Sequence, residues 1–288
     1  MNRDDAREAA RRCHAVLEPL HAMVYFASET QQVYASLGLE PGRMAYFASR
    51  GGPLGAVGPG VIAATFYSFN PELVARHIPR AWSHAAPADV VDARFEVADR
   101  ALRRLLGEER AESEAVAELA GLLRGVADAC RPEGRPLYAA HADLEWPKGS
   151  LIELWHATTL LREYRGDGHI AALVNHGFAG LPALVTHTVT GKGFTEANAK
   201  KLRGWSDEQW ASAAEELREQ GLLDEHGLTD AGAEARRRIE EDTDAAAAAP
   251  YAMAGAETVA RIERLGGELS AVVQSAGAFP PGLFADGR

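Results

Sequence analysis

With 288 residues and a formal charge of −11, the chain is long enough for two ordinary domains and too acidic for general affinity to polyanions, since phosphate contacts need a local surplus of Lys and Arg. Cys13 and Cys130 are its two cysteines; they stand far apart in no ligand spacing, which excludes a disulfide framework and a cysteine zinc site and fits a reducing, cytoplasmic setting. The amino-terminal MNRDDAREAARR is charged where a secretory signal needs an apolar run, and no stretch reaches the ~20 apolar residues of a membrane span, so no membrane association is expected.

In chain order, Asp4 to Phe26 is expected to be helical, with Ala10, Cys13, Leu17, Leu20 and Val24 at three- and four-residue steps and Pro19 as a kink. His14 and His21 share a face of it, and His21, Tyr25 and Glu29 continue at four-residue steps. Residues 38–59 are dense in glycine and suggest a structured loop, or a short helix between loops. Arg50 falls there, and Gly51 and Gly52 beside it allow backbone to approach a ligand, although the lysine of a phosphate loop is missing. Two short helices divided at Asn70-Pro71 come next, then longer amphipathic helices over Ala86 to Leu106 and Glu112 to Cys130. Residues 131–150, broken by prolines and glycines, mark a boundary, which gives a helical amino-terminal domain (1–145) and a second domain (146–288).

On a helix from Leu151 to Arg165, Leu151, Leu154, Trp155, Thr158 and Leu161 form one stripe, while His156 and Glu163, two turns apart, share another flank. The RGDGH that follows reads as a corner: Gly166 ending the helix in a left-handed cap, Asp167 capping a new helix over His169 to His176. Further short helices over 181–190, 195–203 and 207–220 lead to GLLDEHGLTDAG. There Leu222 and Leu223 fill a core, DEHG turns a small β hairpin, and Thr229 caps a long helix with Gly232 in its first turn.

That pattern resembles the winged-helix domain of MarR-type regulators over roughly residues 168 to 245. The whole chain, through HAMVYFASE, YFASRGGPLG, FYSFNPELV and LREYRGDGH, resembles an actinobacterial helix-turn-helix family labelled SalK-like. The resemblance implies a mainly α fold, a helical amino-terminal domain joined to a winged helix-turn-helix domain with a small β wing, and it implies no particular reaction.

The helix ahead of the hairpin argues against DNA reading. Between Ser206 and Gln220 it carries Asp207, Glu208, Glu215, Glu216 and Glu219 against Arg218 alone, while the preceding Lys200, Lys201 and Arg203 form only a small basic island. The final helix, striped by Val259, Ile262, Leu265 and Leu269, stands where MarR-type proteins place dimerisation helices, so a homodimer is expected.

The function expected from the residues is binding of a small molecule, an anionic metabolite among the options, between the amino-terminal domain and the RGDGH corner, with the winged helix as scaffold. Arg50, Arg162 and Arg165 supply charge, His21, Tyr25, His156 and His169 supply hydrogen bonds or proton transfer, and Glu163 orients one of them. No catalytic residue, metal or cofactor is assigned. A MarR-like ligand-responsive transcriptional regulator is one rival. The other is an enzyme of secondary metabolism using a His/Glu/Arg site, in its sharpest form a His-carboxylate metal site.

Overall fold

In the computed structural model, which describes residues 1–285, α1 (Arg3–Ala22) opens on Asn2, whose side chain accepts the Asp5 amide. It runs through Pro19 into a turn of 3-10 helix at Met23–Tyr25. After α2 (Glu29–Ser36), the glycine-dense stretch yields α3 (Arg43–Gly51), so Arg50 belongs to the last turn of a helix and not to a loop. Gly51 serves the packing of α4 (Pro59–Phe66) and not the approach of a ligand: a Cβ there would sit 2.5 Å from Ile62 Cδ1. Asn70 caps α5 (Pro71–His77) through the Glu72 amide at 2.9 Å. α6 (Pro87–Leu106), α7 (Glu108–Ala111), α8 (Glu114–Ala127) and α9 (Pro136–Ala142) complete the first half.

The expected corner does not exist. α10 (Ser150–Asn175) continues through Gly166, Asp167 and Gly168 without a break. Glycine weakens a helix by about 1 kcal/mol per residue, and here packing outweighs that cost. A Cβ on Gly168 would lie 2.8 Å from Arg135 Nη1 and 3.1 Å from the Ala246 Cβ. The room is taken by Arg135, which donates to the carbonyls of Tyr164 and Ala246 and lies 3.7 Å over the Tyr164 ring. Asp167 does cap a helix, but an earlier one: its carboxylate accepts the amides of Leu137 and Tyr138 at 3.0 and 2.9 Å, holding the start of α9. Replacing Asp167 with Ala is expected to cost about 0.5–2 kcal/mol in chemical denaturation, and no loss of stability would contradict the cap.

The second half comprises α11 (Gly180–Val189), α12 (Glu196–Arg203), a left-handed Gly204, and α13 (Asp207–Glu219), the last closed by a reciprocal cap between Ser206 and Gln209. The hairpin β1 (Leu223–Asp224) and β2 (Gly227–Leu228) pairs Leu223 with Leu228 and Asp224 with Gly227. Thr229 then caps α14 (Asp230–Ser275) on the Gly232 amide, and the helix bends at Gly255.

Buried apolar side chains fall into two clusters. The larger draws on α1 to α10 and returns for Ala247 to Val273 of α14; the smaller gathers Ala172, Leu173, Val185, Ala199, Trp210, Leu217, Leu223 and Ile239. α10 and α14 therefore belong to both. The stripe Val259, Ile262, Leu265 and Leu269 is buried within the chain, where α14 packs along α1. It offers no free face for a second copy, which removes the reason for expecting a dimer through it. Among the described residues, no single helix is long and apolar enough to cross a membrane.

Candidate functional site

Glu163 occupies the middle of α10 and is fully buried. Arg50 of α3 grips both its oxygens, Nε to Oε1 at 2.9 Å and Nη2 to Oε2 at 2.8 Å, and Arg162 adds Nη1 at 3.0 Å from each. Burial works to raise the Glu163 pKa, but the two guanidinium groups outweigh it and hold the carboxyl well below its ordinary value. Glu163 is thus the counter-ion of two arginines, fixing Arg162 in place.

Beside this pair lies His21, also fully buried, with Nδ1 3.0 Å from Thr159 Oγ1, Nε2 3.0 Å from the Tyr25 hydroxyl, and its ring stacked on Trp155. Burial first, then Arg162 and Arg94, push its pKa well below 6.5, so the ring is neutral. Glu29 leaves the His21–Tyr25 series to pair with Arg104 at 2.6 and 3.0 Å.

Five of the expected residues, His21, Tyr25, Arg50, Arg162 and Glu163, are therefore brought together. Three are not. His156 is wedged between Trp146 and Phe95, with Nε2 meeting no partner among the described residues, and burial lowers its pKa to about 4. Arg165 faces α14 and pairs with Asp244 at 2.7 Å. His169, further along, sits 2.9 Å from Thr243 Oγ1, its pKa lowered to about 4, chiefly by burial. The unbroken helix is the reason: each residue past Glu163 turns 100° further, so Arg165 and His169 swing to the α14 side. Among the described residues no group of three His, Cys, Asp or Glu could hold a metal ion.

Four participants escape sequence reasoning. Tyr46 and His141 join the buried layer, His141 contacting the Arg50 carbonyl at 3.3 Å. Arg43 and Arg203 reach an open cleft of about 350 Å³ together with Arg162, Tyr25 and Tyr46, walled by Phe26, Phe194, Phe279 and Phe284. Arg203 lies 4.2 Å over Phe69 and 5.4 Å from Phe194, and its Nε has no partner among the described residues. Burial, then Arg50, Arg43 and Arg162, lower its pKa to about 10, still leaving it charged at neutral pH. Burial would raise the Tyr46 phenol, yet Arg50, Arg203 and Arg162 together hold it below its ordinary value. Around this cleft four guanidinium groups, those of Arg43, Arg50, Arg162 and Arg203, stand against the carboxylates of Glu18 and Glu163. The field is positive and the walls are aromatic.

The helix pair α12–α13 presents a different surface. Asp207, Glu208, Glu215, Glu216 and Glu219 are all exposed on α13, and Arg218 is held by Glu215 at 2.7 Å. The basic island is largely spent: Lys200 pairs with Glu196 at 2.6 Å and Asp207 at 2.9 Å, and Arg203 points into the cleft. Docking of the two halves positions this turn, through Asn70 Nδ2 to the Gly204 carbonyl at 2.9 Å and Trp205 Nε1 to the Ser68 carbonyl at 2.9 Å.

Fold and site together define a mainly helical protein in which a cationic, aromatic cleft lies beside a helix-turn-helix segment. The chain belongs to a helix-turn-helix family, whose model matches residues 10–280. Comparison with curated proteins and with solved structures gave no match.

Proposed function

We propose that the protein binds an organic anion with an aromatic body in the cleft between Tyr46 and Arg203, and that α11 to β2 serve as a winged-helix scaffold of the MarR-type and SalK-like kind. The observation that carries the reading is the excess of guanidinium groups around Tyr46 inside an aromatic wall. Arginine suits this task because its planar group donates to carboxylates while stacking on rings. Arg162, fixed by Glu163, stands on α10 where that helix packs into the larger cluster, whereas Arg203 is carried on α12, whose Ala199 belongs to the smaller one. A ligand held by both couples the helix-turn-helix segment to the helical body.

The test is a comparison of thermal melts with 1-naphthoate and with neutral 1-naphthamide. The carboxylate is expected to raise Tm saturably and the amide not to. Equal shifts, or none from the carboxylate, would sink the reading.

Family membership supports a second reading, a ligand-responsive regulator. Charge weighs against α13 as the reading helix, since counterion release needs cations at the phosphates. Gel shifts with the upstream region of the protein's own gene are expected to show no sequence-specific complex, even at low salt. A nanomolar specific complex at physiological salt would reverse the order of the two readings.

A further inference from the structure

Arg94 is an arginine set in an apolar stripe. It lies on α6 among Val90, Val97, Ala98 and Ala101, is 2% exposed, and forms no ion pair among the described residues. Its Nη2 donates to the Tyr25 hydroxyl at 3.2 Å, whereas Nε and Nη1 meet no acceptor among the described residues. The rings of Trp155 and Tyr25 lie 5.0 and 5.3 Å from the guanidinium carbon. A guanidinium cannot discharge itself by losing its proton, so a buried one without a counter-ion is strongly unfavourable.

Arg94 also lines a second cleft, of about 340 Å³, which shares Tyr25, Phe26 and Tyr46 with the first cleft but none of its arginines. It is the one charged side chain among the described lining residues; Tyr34 and Ser49 add hydroxyls, and Ala45, Pro41 and Val24 apolar wall. We propose that this cleft binds the carboxylate of an organic monoanion, with Arg94 as its counter-ion. One fixed positive charge among neutral hydroxyls balances a monocarboxylate, whereas a phosphate dianion leaves a surplus charge to be desolvated. Cation–π stacking on Trp155 and Tyr25 holds the guanidinium in place in the unliganded protein. This second subsite does not rest on the reading of the first cleft.

The probes are benzoate in solution and 4-bromobenzoate in crystals of the full chain, where anomalous scattering locates the bromine. The bromine is expected in the Arg94 cleft. In solution, benzoate is expected to raise Tm saturably in the wild type and in Arg203→Ala, which disables the first cleft, and to bind Arg94→Met made in the Arg203→Ala background at least roughly tenfold more weakly than Arg203→Ala. Arg94→Met itself is expected to melt no lower than wild type, because it removes an unpaired buried charge. Bromine found solely in the Arg203 cleft or nowhere, or a benzoate response of Arg203→Ala that survives the addition of Arg94→Met, overturns the subsite. If Arg94→Met fails to fold, the bromine position in the wild type decides alone.

Discussion

Replacing Glu163 with Gln is expected to destabilise the fold by about 3–5 kcal/mol. The amide keeps the shape of the carboxylate but not its charge, and it leaves Arg50, nearly fully buried, without its counter-ion and Arg162 with Glu18, 3.7 Å away, in place of the closer carboxylate. Chemical denaturation at neutral pH measures the loss. The companion experiment is the double variant Glu163→Leu with Arg50→Met, expected to recover most of the stability, since apolar residues of similar volume replace buried pairs at little cost. A loss below about 1 kcal/mol for Glu163→Gln would instead mean that the carboxylate is not holding the arginines. Because Arg162 is positioned by Glu163, the same substitution is expected to weaken binding in the first cleft as well.

Acidification below about pH 6.5 is expected to destabilise the protein steeply, beginning before most of its carboxylates are titrated. His21, His141 and His156 are each buried to 1% exposure or less. Burial is the leading cause that lowers all three, His141 to about 3 and His156 to about 4, with arginine charges adding to it. The unfolded chain takes up their protons near the ordinary value of about 6.5, while the folded chain does not until far lower pH. Below about pH 6.5 the unfolded state therefore binds more protons, and stability falls as pH falls, by up to about 4 kcal/mol per pH unit for the three together. Asp167 works the other way: burial raises its carboxyl to about 6, so the folded form takes up one proton earlier than the unfolded chain and offsets about a third of that slope. A domain stability of about 5–15 kcal/mol is then exhausted within a few pH units. Circular dichroism across pH, with denaturant midpoints at each step, tests this. His141→Gln should make the slope shallower by about one proton, and stability unchanged between neutrality and about pH 4.5 would contradict the buried neutral histidines.

Much of the helical body is legible from periodicity and caps. Asn70 with Pro71, Thr229 with Gly232, and the DEHG turn all do in the structure what their chemistry suggests. The failures share a cause: tertiary packing overrides local signals. Two glycines around Asp167 look like a break, and Arg135 crossing the helix makes the second of them, Gly168, necessary inside it. Gly51 and Gly52 hide a helix because α4 packs against the first and the start of α6 against the second. The site was half visible. His21, Tyr25, Arg50, Arg162 and Glu163 converge, but their partners Tyr46, His141 and Arg203 come from separate helices whose meeting no local pattern encodes. Arg94 did leave a mark: it interrupts the buried stripe Val90, Val97, Ala101 of an amphipathic helix, and a charge at such a position asks for a counter-ion.

The expected dimer now lacks its interface, since the stripe on α14 is covered by α1. Any association of two copies has to use other surface. Nothing in the anion reading depends on it, because both clefts are built from one chain.

The most direct measurement is a calorimetric titration of 1-naphthoate into the wild-type protein and into Arg203→Ala. Saturable binding to the wild type, with a site that Arg203→Ala weakens roughly tenfold or more through the loss of a charge-assisted contact, is the expected result. No saturable heat in the wild type, or the same affinity in both proteins, would contradict the assignment of an anion to the cleft between Tyr46 and Arg203.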